Sequence, residues 1–247
     1  MAIPNPTKTQ RISRLENGDH LSAGEFMERY EAMPGLKKAE LIDGVVYVPS
    51  PTRWDLHAVP HQAMSTWLGN FWADTPGTQA GDNGTLKLDL ENVPQPDLAL
   101  IVLPSHGGQV DIDDDHYIVG APELVCEISS SSKSIDLNSK LRLYLRNRVQ
   151  EYIVWRVEDK AIDWFIQRQG RFERIEPVAA GVIQSEVFPG LWLDPQALIK
   201  LDLGRVFHVL QQGLETPAHS AFIARLAENA TGRGEPGCRT DSTLARS

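Results

Sequence analysis

Apolar and polar positions along this chain recur with different periods, and each period predicts an element. Leu98 to Leu103 and Leu124 to Ile128 are short, mostly apolar runs, the second bounded by Pro122 and a serine-rich loop, as buried strands are. Successive side chains of a strand face opposite ways, so Val125, Glu127 and Ser129 share one face of the 123–129 strand and Leu124, Cys126 and Ile128 the other. Thr85 to Leu90 alternates as a strand with one polar face. Tyr152 to Trp155 predicts a further buried strand, and Lys160–Gln167 with Arg171–Pro177 a hairpin. Glu40-Leu41-Ile42, Asp43-Gly44 and Val45 to Val48 read as a tight hairpin with a type I′ turn.

Helical spacing appears first over Ala23–Met33, where Ser22 and Glu25 suit a capping box and Pro34-Gly35 ends the run. Pro49 to Asp55 is a loop. A second helix, Pro60 to Ala73, carries Met64, Trp67, Leu68, Phe71 and Trp72 on a stripe read as core. In the 136–148 helix, Leu137, Leu141, Tyr144 and Leu145 form the apolar stripe, which puts Lys140 on the inward side. Phe188 to Leu193 and a helix from Pro195 to Gln212 are expected to pack on the outside, and helical spacing resumes over Pro217–Glu228. This order predicts an α/β domain with a mixed central sheet flanked by helices. Residues 1–19 read as a flexible arm, 20–213 as the domain, 214–229 as a C-terminal helix, and 230–247 as a disordered tail without apolar periodicity.

Composition narrows the class without naming an activity. The 247 residues are 41% hydrophobic and 23% charged, ordinary for a soluble globular protein. No apolar run approaches a membrane span, the first residues lack a signal peptide's apolar core, and a cytoplasmic protein is expected. Cys126 and Cys238 offer neither a disulfide framework nor zinc spacing. The net charge of −9 counts against a nucleic-acid binder, whose affinity rests on neutralising phosphates, although a metal centre itself requires clustered acids.

The candidate chemistry lies between Gln95 and Tyr144. Asp97 follows Pro96 at the start of one apolar strand, Glu127 stands near the end of another, and Lys140 follows on the next helix. A carboxylate in a buried strand needs a cation, hydrogen-bond donors or a metal. Each residue also has a plain structural reading, with Asp97 in a turn, Glu127 paired with an arginine and Lys140 snorkelling from a helix rim. Together they are the parts of a magnesium-dependent phosphodiester hydrolase. The 129–134 loop, with Lys133, lacks the glycine of a phosphate cradle. Its hydroxyls, Ser129 among them, suit helix capping and the ordering of water. The acidic run Asp111, Asp113, Asp114, Asp115 lacks the glycine and glutamate of a calcium loop and reads as solvated.

Pro96-Asp97, then Glu127, then a lysine displaced onto the following helix, resembles the PD-(D/E)XK nuclease superfamily, and more closely its Uma-type restriction endonucleases. The likeness extends through Glu40 to Gly44, Gly81 to Thr85, Pro94 to Asp97, Gly120 to Leu124, Glu151 to Trp155 and Phe188 to Leu193, within roughly residues 20 to 225. It implies a restriction-endonuclease-like fold, a homodimer, DNA as substrate and Mg²⁺ as cofactor, with Mn²⁺ as a substitute. It further implies that Asp97 and Glu127 hold metal with the Ile128 carbonyl, that Glu40 is an acid at the edge of the site, and that Lys140 acts on the attacking water. Tyr144 would fix the lysine's direction. A histidine belongs near residues 57 to 61, and of His57 and His61 the latter has the better offset to the helix stripe. The superfamily's usual lysine, two residues after the glutamate, is Ser129 here. Two other readings stay open on the residues alone, a catalytically silent nuclease-like domain that binds nucleic acid or a protein partner, and a metal-dependent hydrolase of small phosphoesters.

Overall fold

The computed structural model describes residues 12–130, 132 and 134–232. The arm expected before residue 12, the tail expected after residue 232, and Ser131 and Lys133 of the serine-rich loop lie outside the described residues.

Helix α1 (Ala23–Glu31) starts as its sequence dictates. The Ser22 side chain accepts from the Glu25 N–H, and the Glu25 carboxylate accepts from the Ser22 N–H. Strands β1 (Glu40–Ile42) and β2 (Val45–Tyr47) form the expected hairpin. Asp43 and Gly44, at φ 50° and 74°, both take the left-handed conformation that a type I′ turn demands. A π-helical turn, Trp54–Ala58, leads into α2 (Val59–Ala73). Met64, Trp67, Leu68 and Phe71 are fully buried, but Trp72 is 43% exposed. At about 100° per residue Trp72 stands about 90° from the centre of the stripe the other four define, which takes it off the core face.

The chain continues through β3 (Thr78–Asp82), β4 (Leu86–Lys87), β5 (Leu98–Val102), β6 (Asp111–Ile112), β7 (Ile118–Val119) and β8 (Leu124–Ser129). A second π-helical turn, Ile135–Lys140, runs into α3 (Leu141–Arg146). Then follow β9 (Glu151–Arg156), β10 (Ala161–Arg168), β11 (Arg171–Arg174), β12 (Ile183–Gln184), β13 (Trp192–Leu193), α4 (Pro195–Ile199), α5 (Leu203–Leu214) and α6 (Pro217–Gly232). The main sheet has the order β11-β10-β9-β8-β5-β3, with β8 and β9 parallel and the other neighbours antiparallel. A parallel pair needs a crossover, and the 135–146 helical segment supplies it. The sheet is therefore mixed and flanked by helices, as expected.

Strand β8 is buried on both faces, and its alternation sorts residues as the sequence predicts. Leu124, Cys126 and Ile128 join α2, Trp164 and Phe188 in one core cluster, while Val125 joins Leu143, Tyr144 and Tyr152 in another. A third cluster packs α1 against the β1–β2 hairpin and includes Leu15. Among the described residues, no helix is long and apolar enough to cross a membrane.

Three further expectations need correction. The Thr85–Leu90 strand shrinks to Leu86–Lys87 in a separate sheet with β6 and β7, because Asp89 turns the chain by accepting from the Glu91 N–H and leaves Leu90 exposed. The polar stretch from Ser105 to Tyr117, whose pattern predicts only loop, starts within a short 3₁₀ turn, Pro104–His106, and contains β6. Phe188, Leu191 and Leu193 are fully buried rather than outside, and the helix after them is two. Leu201, at φ 56°, ends the first, and Asp202 caps the second by accepting from the Arg205 N–H.

Candidate active site

Antiparallel pairing of β5 with β8 sets Leu98 opposite Cys126. Carried one residue further, that register puts Asp97 beside Glu127. Both acids are buried, Asp97 at 3% exposure. Asp97 Oδ2 accepts from the Ile128 N–H at 2.8 Å and lies 3.2 Å from His57 Nε2, and Oδ1 accepts from Lys38 Nζ at 2.9 Å. The Asp97 carbonyl oxygen meets His61 Nε2 at 3.0 Å and the Asn83 N–H at 3.1 Å. Oxygen acceptors at these contacts make Nε2 the donor of both imidazoles. The two rings stack, with centroids 5.8 Å apart. Both histidines thus reach Asp97, His57 at the carboxylate and His61 at the main chain.

Glu127 is the hub of a second group. Its Oε1 accepts from Lys140 Nζ at 2.8 Å and from the Tyr144 hydroxyl at 2.9 Å. Lys140 Nζ also lies 3.0 Å from Glu40 Oε1 and 3.9 Å from Asp136 Oδ1. Glu40 Oε1 accepts from the Gln95 N–H at 2.8 Å, tying the hairpin to the residues just before Asp97. Asp136 Oδ2 accepts from the Ser132 hydroxyl at 2.5 Å. Its Oδ1 and the buried hydroxyl of Ser129 have no hydrogen-bond partner among the described residues. The π-helical winding of 135–140 carries this arrangement. The side chains it buries are Asp136 and Lys140, joined by Leu143 and Tyr144 of α3, whereas Leu137, Leu141 and Leu145 are half-buried. The apolar stripe expected there is therefore rotated, because the charged pair turns inward to Glu127 and Glu40. The Tyr144 hydroxyl donates to the same Glu127 oxygen as Lys140.

Charge is crowded in this site. Burial works against ionisation of Asp97, but the His57 hydrogen bond and the charges of Lys38, His57 and Lys140 outweigh it and hold the acid well below the usual carboxylate range. Burial pushes Glu127 up to about 8, helped by Asp97, Asp136 and Glu40 and opposed by Lys140. Asp136 is raised as well, chiefly by burial. Burial alone would discharge Lys140, yet Glu127, Glu40 and Asp136 hold its pKa well above that of a free lysine. One ammonium shared by three acids cannot offset the burial of them all.

A family model described as "Putative restriction endonuclease", Uma2, matches residues 25–196. The chain belongs to the Uma2 family. A crystal structure from Anabaena variabilis, titled as "a putative nuclease belonging to DUF820", superposes with a TM-score of 0.53 at 14% identity, covering 70% of this chain and 98% of that one. That likeness shows the shared fold. No curated protein matches the chain significantly.

Whether this Uma2 chain suits a divalent ion is a question of donors and charge. Among the described residues, no three His, Cys, Asp or Glu side chains are grouped to hold an ion as they stand, because lysines occupy carboxylate oxygens of Asp97 and Glu127. The chemistry of the set nevertheless fits. Four buried carboxylates, Asp97, Glu127, Glu40 and Asp136, face two lysines, and hard oxygen donors with an excess of negative charge suit Mg²⁺. Of Ile128, the N–H is engaged with Asp97. Two residues of this cluster, Asp136 and Lys38, are not among the candidates the sequence offers. Asp136 carried a signal in its spacing, four residues before Lys140, while Lys38 looks like half of a solvated Lys37-Lys38 pair. For His57, nothing in the local sequence shows that it, and not His61, reaches the carboxylate.

Proposed function

We propose that the chain is a metal-dependent endonuclease that hydrolyses phosphodiester bonds in DNA. The observation that carries the reading is the adjacency of Asp97 and Glu127 on paired strands, with the buried ammonium of Lys140 on Glu127. Asp97 and Glu127, with the Ile128 carbonyl, would hold the ion. Mg²⁺, or Mn²⁺ in its place, would neutralise charge growing on the phosphate and acidify a water. Lys140 supplies positive charge to that water or to the phosphoryl oxygens, and Glu40 keeps the amine in place when Glu127 turns to the ion. Tyr144 fixes Glu127, and His57 and His61 fix Asp97 from its carboxylate and its carbonyl. His61, through the ring nitrogen that does not face Asp97, and the buried Ser129 hydroxyl would hold a phosphate or a water. The family likeness extends this reading to a homodimer, and the cytoplasm expected from the sequence is its setting.

The test is plasmid nicking in Mn²⁺ by wild type, Asp97→Ala and Glu127→Ala, with circular dichroism confirming that each is folded. Nicking by wild type alone is expected, and cleavage by either variant would refute the assignment. A non-cleaving binding domain is the second reading, favoured by the lysines already seated on both acids. It predicts DNA binding without nicking in any divalent ion.

A further inference from the structure

The two lysines of the site are held very differently. Lys140 Nζ stands among Glu127, Glu40 and Asp136, and its side chain is 5% exposed. Lys38 lies in the loop before β1, its side chain is 24% exposed, and its Nζ spans Asp97 Oδ1 at 2.9 Å and Asn83 Oδ1 at 3.1 Å. A cation taking Asp97 Oδ2 would have to displace a main-chain N–H, that of Ile128 within β8. A cation taking Oδ1 has to displace only a flexible side chain that already reaches solvent. The second anchor survives such a displacement, since Asn83 is tied to Asp97 through its own N–H and the Asp97 carbonyl.

Resting on the nuclease reading above, we propose that Lys38 is an exchangeable counter-ion of the site. It neutralises Asp97 Oδ1 until a divalent ion takes that oxygen. The released ammonium, still within reach of Asn83, then binds a non-bridging oxygen of the substrate phosphodiester. A lysine is suited to this exchange because it is a compact charge on a flexible stem, able to pass from a carboxylate to a phosphate.

The exchange predicts effects of opposite sign, which a lysine that merely buttresses Asp97 does not. Removing the amine removes the ion's competitor and so tightens metal binding, while it deletes one phosphate contact and so weakens DNA binding. A buttress, once lost, loosens Asp97 and weakens metal binding.

The experiment uses the full chain as wild type, Lys38→Gln and Lys38→Arg, each checked for folding by thermal unfolding. Mn²⁺ affinity is measured by isothermal titration and duplex affinity by fluorescence anisotropy in Ca²⁺ over a range of salt. Lys38→Gln is expected to bind Mn²⁺ about fivefold tighter. Its DNA affinity should fall about tenfold, with a salt dependence shallower by about one phosphate contact, and Lys38→Arg should restore the DNA arm. Unchanged or weaker Mn²⁺ binding by Lys38→Gln, with wild type binding and nicking normally, would overturn the exchange alone. Tighter Mn²⁺ binding with unchanged DNA affinity would overturn the transfer to phosphate. A wild type that neither binds Mn²⁺ nor nicks would overturn the nuclease reading and this inference with it.

Discussion

Replacing Glu127 by glutamine separates what the site costs the fold from what it gives to chemistry. Glu127 is fully enclosed, and burial with the neighbouring acids lifts its pKa from 4.5 to about 8. Because the folded value is the higher one, the group's contribution to stability is complete below pH 4.5 and is lost as pH rises through 8. At pH 7.5 the unfolded chain has gained three pH units of ionisation that the folded chain has not. At about 1.4 kcal/mol each, that is a penalty of about 4 kcal/mol. Glutamine does not ionise and escapes it. It keeps an oxygen for Tyr144 and Lys140, but its amide carries one more buried N–H than the carboxyl did, and leaving that donor poorly paired costs about 1–2 kcal/mol. Glu127→Gln should therefore be more stable than wild type by about 2–3 kcal/mol at pH 7.5, or about 8 °C in Tm. At pH 4.5, where the penalty has almost vanished, it should be less stable than wild type by about 1 kcal/mol. Thermal unfolding of both proteins in Mg²⁺-free buffer from pH 4.5 to 8.5 measures this directly. Parallel profiles would refute the reasoning, because Glu127 would then titrate alike in the folded and unfolded chains. The variant should not nick DNA at any pH, so the gain in stability comes with the loss of function.

Two further outcomes follow from the same geometry. Mn²⁺ at a hundred times its dissociation constant should add about 2.7 kcal/mol to the stability of wild type and nothing to that of Asp97→Asn, read by thermal unfolding. Equal shifts in the two would place the ion elsewhere. Tyr144→Phe deletes one buried hydrogen bond to Glu127 and should cost about 1–2 kcal/mol in denaturant unfolding while leaving nicking within about tenfold of wild type. A loss beyond a hundredfold would give the hydroxyl a part in the chemistry.

What the sequence shows of this fold is whatever neighbouring residues decide between themselves. The Ser22–Glu25 box, the Asp43-Gly44 turn and the alternation of β8 are contests among residues a few positions apart, and the structure resolves each as the pattern implies. The 135–140 turn is different. A period of 3.6 applied to its leucines puts Leu137, Leu141 and Leu145 inside with Lys140 beside them, yet the wide winding leaves the leucines half-buried and takes Asp136 in with Lys140. Burying that pair would be unfavourable without Glu127 and Glu40, which arrive from other strands. Lys38 is hidden for the same reason, since its partner Asp97 lies 59 positions away.

The buried glutamates show what a sequence lacks for naming the site. Glu151 opens β9 as Glu123 precedes β8, and both are as buried as Glu127. Glu123 accepts from the Val102 and Gln109 N–H groups, and Glu151 from those of Glu186 and Val187, the Ser185 hydroxyl and the Trp164 indole. Neutral donors of this kind pin a loop to a strand end. Glu127 is instead held by an ammonium that two more acids share. A carboxylate saturated by neutral donors has no reason to take a cation, whereas one competing for a single lysine does. Burial alone therefore does not separate a structural acid from a metal-binding one. On the proposed reading, what sets Glu127 apart is an ammonium shared with two further acids, and those partners come from β1 and the 135–140 turn, not from the strand on which Glu127 lies.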